Sequence, residues 1–297
     1  MKQKIRLGSR DSRLAVIQTQ LVMDKLHQLY PEMELELVTM KTTGDLILDR
    51  TLDKIGGKGL FVRELDAALL DGRVDLTVHS FKDLPMELPE ELPIVAITCR
   101  DDPRDALVLP QGQQSLDLTR PIGCASKRRA LQLKELFPGC RVEPVRGNVQ
   151  TRLKKLDDGQ YGALVLAAAG LRRLGLEERI HRLFEPEELL PAACQGILAV
   201  QARRDFDVSF LRPLHDPQAE LLTRAERSFV RTLDGGCSAP VAAHGRLNGE
   251  TLTLTGFYAG PEDERGIKQT LSGPALEGEE LGRRLAELIR KEAEACV

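Results

Sequence analysis

From Ile5 to Gln201 the sequence alternates short apolar runs with amphipathic segments, and that alternation leaves few architectures open. Ile5–Gly8, Glu34–Met40, Val74–His79 and Pro93–Thr98 read as strands, with helices over Arg13–Leu29 and Phe61–Leu70. The same grammar then recurs. Ala106–Leu109, Pro121–Gly123, Arg141–Val145 and Ala163–Ala167 read as strands, Arg128–Phe137 and Val149–Leu156 as helices. Another strand, Ile197–Gln201, leads into a proline-marked link, Arg212–Pro217. Apolar strands separated by helices predict α/β layers with largely parallel pairing.

The style changes after the link. A helix over Ala219–Leu233 is broken by Gly235-Gly236, and Val241–Leu247 and Thr251–Tyr258 read as a hairpin around Asn248-Gly249. A strand near Ile267–Ser272 and a helix over Glu279–Glu294 complete an α+β unit. The expectation is three domains: an α/β lobe of residues 1–99 plus 196–217, a second α/β lobe of 100–195, and a small C-terminal α+β domain with an antiparallel sheet, 218–297. Two such lobes are expected to meet at a cleft lined by strand C-termini and helix N-termini, where ligands bind in open α/β sheets.

Composition excludes several classes of function. A net charge of −3 gives no global attraction to nucleic acid, and the absence of Trp argues against stacking platforms for single strands. No 18-residue apolar run and no signal peptide are legible, so a cytoplasmic, unexported chain without membrane or nucleic-acid partners is expected. Cys99, Cys124, Cys140, Cys194, Cys237 and Cys296 show no metal-ligand spacing, and they read as reduced thiols with no metal site. No extended apolar surface is legible, which makes a monomer the default.

Cationic residues recur at strand-to-helix junctions: Arg10 and Ser12 after the first strand, Ser126-Lys127-Arg128-Arg129 in the second lobe, and Arg146 with Arg152 around Gly147-Asn148. Helix N–H groups beside a guanidinium are a recipe for holding carboxylate or phosphate. Gly56-Gly57-Lys58-Gly59 lacks P-loop spacing and reads as a lid loop with Lys54 and Lys58 facing anions. In His79-Ser80-Phe81-Lys82-Asp83-Leu84-Pro85 an apolar strand ends in polar side chains. Asp83 there is either a surface ion-pair partner of Lys82 or a general acid/base, and His79 alone reads as a packing residue. Cys237 follows two glycines and precedes Ser238-Ala239-Pro240, which leaves its thiol room for an attached group; a lone cysteine is otherwise a small buried hydrophobe.

Taken together, these stretches closely resemble the porphobilinogen deaminase (hydroxymethylbilane synthase) family. The resemblance runs through Leu-Gly-Ser-Arg-Asp-Ser-Arg-Leu-Ala, Lys-Thr-Thr-Gly-Asp, Gly-Gly-Lys-Gly-Leu-Phe, His-Ser-Phe-Lys-Asp-Leu-Pro, Arg-Gly-Asn-Val-Gln-Thr-Arg-Leu, Ala-Gly-Leu-Arg-Arg-Leu-Gly and Leu-Asp-Gly-Gly-Cys-Ser-Ala-Pro, in family order. It implies three domains, the first two like periplasmic solute-binding lobes. It implies a dipyrromethane cofactor on Cys237 through a thioether, to which four porphobilinogens are joined head to tail with loss of ammonia before hydrolysis releases hydroxymethylbilane.

By the same resemblance Asp83 is the catalytic carboxylate. Lys82, Ser80, Ser126, Arg128, Arg129 and Asp83 hold the cofactor, while Arg10, Ser12, Arg146, Arg152, Arg173, Gln195, Phe61, Lys54 and Lys58 meet substrate. A cyclising enzyme, uroporphyrinogen III synthase, is the implied recipient of the product. Cys124, Ala125, Lys127, Cys194 and Gln201 depart from the residues common at those places, and activity is expected to survive the departures. Two other readings compete: a two-lobed carboxylate-binding protein, which leaves the Gly-Gly-Cys domain unexplained, and a transferase using Cys237 as a turnover nucleophile.

Overall fold

The first helix shows how sequence becomes structure here. In the computed structural model, which describes residues 4–46, 62–234, 240–260, 263 and 265–295, α1 (Arg13–Leu29) buries Ala15, Gln18, Thr19, Val22, Met23 and Leu26 along one face. That is helical spacing, and the face lies on a sheet. The sheet comprises β1 (Lys4–Arg10), β2 (Glu34–Met40), β3 (Leu76–Ser80), β4 (Ile94–Ile97) and, from later in the chain, a strand over Leu198–Ala202. A single turn of helix, α2 (Thr43–Leu46), follows β2, and α3 (Arg63–Leu70) precedes β3.

The middle of the chain builds a second sheet from β5 (Asp105–Val108), β6 (Ile122–Gly123), β7 (Val142–Glu143), β8 (Ala163–Ala167) and β9 (Ile180–Leu183). Its helices are α4 (Lys127–Leu136), α5 (Val149–Asp157) and α6 (Ala168–Arg173). With Leu198–Ala202 as β10, the two strand orders are β2-β1-β3-β10-β4 and β7-β6-β8-β5-β9. In both, three strands are parallel and the remaining two pairings are antiparallel. The expectation of largely parallel pairing is thus corrected to an even split. A strand buried on both faces is an apolar run whichever way it points, so direction left no mark in the sequence.

The rest comprises α7 (Pro217–Thr232), the antiparallel strands β11 (Val241–Asn248), β12 (Thr251–Tyr258) and β13 (Ile267–Pro274), and α8 (Gly278–Ala295). Asp216 caps α7, its Oδ1 accepting from the N–H groups of Gln218 and Ala219 at 2.8 and 3.0 Å, with Pro217 at the first helical position. The hairpin pairs Asn248 with Thr251, which makes Gly249-Glu250 the loop, one residue later than Asn248-Gly249. Gly249 takes φ +58, the left-handed conformation a two-residue hairpin asks of its first loop position.

The chain divides into two compact units, Met1–Arg100 with Ile197–Ala219, and Asp101–Gly196 with Glu220–Val297. The first is cored by Ile5, Leu7, Val22, Leu26, Leu76, Val78, Leu198 and Val200. In the second, the two faces of the β5–β9 sheet carry separate clusters around Leu164 and Val165, and Leu190, Ala242 and Phe257 join the C-terminal sheet to it. Glu226 of α7 adds a buried pin: its carboxylate accepts from the N–H of Cys194 at 2.6 Å and from that of Gly245 at 2.7 Å. Cys194 is itself held at φ +61, a left-handed conformation unusual for a residue with a Cβ.

Candidate functional site

In the first unit the site residues stand at the C-terminal ends of β1 and β3. These strands are parallel neighbours, so Arg10 and Ser80 emerge at the same edge of the sheet. Ser12 caps α1 by accepting from the N–H of Ala15 at 3.4 Å. Gln18 of that helix donates from Nε2 to Ser80 Oγ at 2.8 Å, fastening the end of β3 to the helix. The chain then makes a single 3-10 turn, Phe81–Asp83. Phe81 and Leu84 are buried on either side of it, while Lys82 is half-buried and Asp83 exposed. The apolar pair thus staples the turn that carries the half-buried Lys82 and the exposed Asp83.

Behind them His79 is buried, with Nε2 2.9 Å from Thr77 Oγ1. Burial, reinforced by the nearby Arg10 charge and opposed by Gln201, pushes its pKa down to about 4. The imidazole is therefore neutral near pH 7 and adds no charge beside Asp83.

In the second unit Ser126 precedes α4 in an extended conformation and is half-buried, and Lys127 is exposed. The two arginines that follow turn inward. Arg128 and Arg129 are 3% and 6% exposed, and both reach the wholly buried Asp105 at the start of β5. Despite its burial, these two charges hold the Asp105 carboxyl well below the usual carboxylate range. Gln195, also buried, donates from Nε2 to Asp105 Oδ1 at 2.8 Å and to the Pro103 carbonyl at 2.7 Å.

At α5 the cap is Asn148, whose Oδ1 accepts from the Thr151 N–H at 2.9 Å. The turn before it needs Gly147, at φ +109, because a Cβ there would lie 2.6 Å from Thr151 Cγ2. Arg152 donates from Nε to the Gly147 carbonyl at 2.8 Å, which sets its half-buried side chain beside that turn. Arg146 is likewise half-buried, and its carbonyl accepts from Lys155. Arg173, at the end of α6, donates to the Gly196 carbonyl at 2.6 Å and lies 3.4 Å from the Asp101 carboxylate.

Cys237, Phe61, Lys54, Lys58 and the Gly56–Gly59 stretch lie outside the described residues. Among the described residues no disulfide joins the cysteines, no cluster of three or more metal-ligating side chains occurs, and no helix is long and apolar enough to cross a membrane. Sequence reasoning missed Gln18, Asp105 and Glu226. Only Asp105 had a trace, as an acid opening the apolar run Asp105-Ala106-Leu107-Val108.

A family profile described as porphobilinogen deaminase, dipyromethane cofactor binding domain, matches residues 5–209, and the porphobilinogen deaminase C-terminal domain profile matches residues 221–291. The chain belongs to the porphobilinogen deaminase family. Curated relatives of that name include one from Acetivibrio thermocellus, 58% identical over 98% of this chain and 100% of its own length. Another, from Alkaliphilus oremlandii, is 58% identical over 98% of each chain. Among solved structures, the periplasmic aliphatic sulphonate binding protein SsuA from Escherichia coli aligns with a TM-score of 0.39 and 13% identity, covering 79% of this chain and 71% of its own.

The porphobilinogen deaminase profile named for the cofactor thus spans Asp83 and every arginine described above, while Cys237 falls within the C-terminal one. In each unit, taken by itself, the donors at strand and helix ends are cationic and hydroxyl groups, the chemistry from which a carboxylate accepts.

Proposed function

We propose that this chain is the transferase that joins four porphobilinogen molecules head to tail, with loss of ammonia, and releases hydroxymethylbilane by hydrolysis. The observation that carries this reading is family membership at 58% identity over 98% of the chain, in a sequence that keeps Cys237 within Gly-Gly-Cys-Ser-Ala-Pro. Dipyrromethane, attached through Cys237, supplies the nucleophilic pyrrole carbon on which the product is built.

The protein's own groups do the rest. Asp83, exposed on its stapled turn, moves the proton needed by the leaving amine and faces the positive charge that develops on the substrate. Lys82, Ser80 and Ser126 donate to carboxylates of the bound cofactor, with Arg128 and Arg129. Arg10, Ser12, Arg146, Arg152 and Arg173 take those of incoming substrate, each guanidinium able to grip a carboxylate by two parallel bonds. Phe61, Lys54, Lys58 and Gln195 complete the substrate-binding set that the family resemblance implies. We read residues 218–297 as a cofactor-bearing domain of a cytoplasmic monomer whose product passes to a cyclising synthase, uroporphyrinogen III synthase.

Intact mass under denaturing conditions, with peptide mapping around Cys237, tests the assignment. The expected result is an added mass of two linked pyrroles on Cys237. An unmodified chain that gains no such mass on incubation with porphobilinogen refutes it.

A further inference from the structure

The paired arginines are bound to the protein's own carboxylate. Asp105 Oδ2 accepts from Arg128 Nη1 at 3.0 Å and Arg129 Nε at 3.1 Å, and Oδ1 accepts from Arg129 Nη2 at 2.6 Å and Gln195 Nε2 at 2.8 Å. A carboxylate offers about four lone-pair sites, and all four are taken. Arg129 also donates from Nη1 to the Val165 carbonyl, and Arg128 from Nη1 to the Leu190 carbonyl at 2.6 Å. Leu190 is in turn held by Gln132, which donates to its carbonyl and accepts from its N–H.

We propose that Asp105, backed by Gln195, is the positioning residue of the carboxylate-binding arginine pair. The proposal rests on the reading that Arg128 and Arg129 hold carboxylates of the cofactor. Adjacent buried guanidinium groups repel each other, and without a counter-ion they would be driven apart or toward water. Asp105 removes one of the two positive charges and grips Arg129 edge-on through Nε and Nη2. It touches Arg128 only through Nη1, which leaves that guanidinium's Nε and Nη2 edge for a ligand. The saturated carboxylate has no lone pair left for proton transfer, so its part is to orient the pair. The cluster as built carries one net positive charge, suited to a single ligand carboxylate.

The test follows cofactor loading in the full chain by intact mass, with folding followed by thermal melting. Asp105→Asn keeps the shape but turns an NH2 group toward guanidinium donors. The expected result is a cooperatively folded protein whose loaded fraction is at least tenfold smaller than wild type. Leu133→Ala, a core truncation on the same helix, is the control for lost stability and is expected to load normally. A folded Asp105→Asn protein that loads at or above the wild-type level overturns the proposal, as does a Leu133→Ala protein with the same loading loss.

Should Asp105→Asn fail to fold, Gln195→Met decides, since it removes one of the four bonds on Asp105. A severalfold loss of loading supports the proposal, and wild-type loading overturns it. Arg128→Lys separates the underlying reading from the inference: normal loading there discards the arginine pair as cofactor holder. Lost loading there, with normal loading in Asp105→Asn, discards Asp105 alone.

Discussion

Replacing Gly282 with alanine sets two effects of opposite sign against each other, and the geometry decides between them. Gly282 lies mid-way along the buried face of α8, where helix propensity favours alanine by about 1 kcal/mol. A Cβ at that position would stand 2.3 Å from the Ala225 carbonyl oxygen, 2.9 Å from the Phe229 nitrogen and 3.0 Å from Ser228 Cβ, all on α7. Two of these neighbours are backbone, so no side chain can rotate away. Relief requires the helices to separate by roughly 1 Å, against optimal contact distances near 3.5 Å. That separation also strains the bond from Ser228 Oγ to the Glu279 carbonyl, 2.7 Å long.

Overpacking costs about 1–3 kcal/mol where side chains can adjust, and more where backbone must move. The net expectation is a loss of about 2–3 kcal/mol, or about 5–10 °C in Tm for a unit of this size. Gly278→Ala, whose Cβ would meet its nearest neighbours at 3.3–3.4 Å, is the comparison and is expected to stay within about 1 kcal/mol of wild type. Thermal unfolding of the full-length variants by circular dichroism provides the measurement. A Gly282→Ala protein melting at or above the wild-type temperature would show that propensity outweighs the close approach and refute the reasoning.

Asp83→Ala is expected to abolish porphobilinogen consumption while leaving the melting temperature within a few degrees, since the side chain is exposed on its turn; normal turnover by the folded variant would remove Asp83 from the chemistry. His79, pushed down to about 4 from its usual 6.5, binds a proton more readily in the unfolded chain. Its contribution to stability is therefore complete above about pH 6.5 and is lost as pH falls toward 4, by about 3 kcal/mol in all. Asp66, whose burial pushes its pKa up to about 6, works in the opposite direction over much of this range but equally in both proteins. Denaturant titrations at pH 7 and pH 4 should accordingly show His79→Gln losing about 3 kcal/mol less than wild type over that interval. Equal losses would mean that the imidazole is not buried neutral.

Local physics was legible from the start. The bounds of α1, β2, β8 and β12 are those expected from periodicity and flanking residues, because each is set within a dozen or so neighbours. The polar turn holding Lys82 and Asp83 was legible for the same reason: an apolar strand before it and Pro85 after it leave few places for those side chains to go. Family membership also follows from motif order alone.

What the sequence left undecided depended on residues far apart in the chain. Strand direction was lost because β5 and β10 pair antiparallel while remaining as apolar as their parallel neighbours. Arg128 and Arg129 read as anion-holding cations at a helix start, and the sequence did not show that both are buried against Asp105, which lies 23 and 24 residues earlier and is brought beneath them only by the sheet. Gln195 comes to the same carboxylate from 90 residues away. Amphipathic pattern records whether a residue meets water or core, so it determined the elements of this protein. Which buried charge meets which is recorded nowhere in that pattern, and the packing of the sheets decided it.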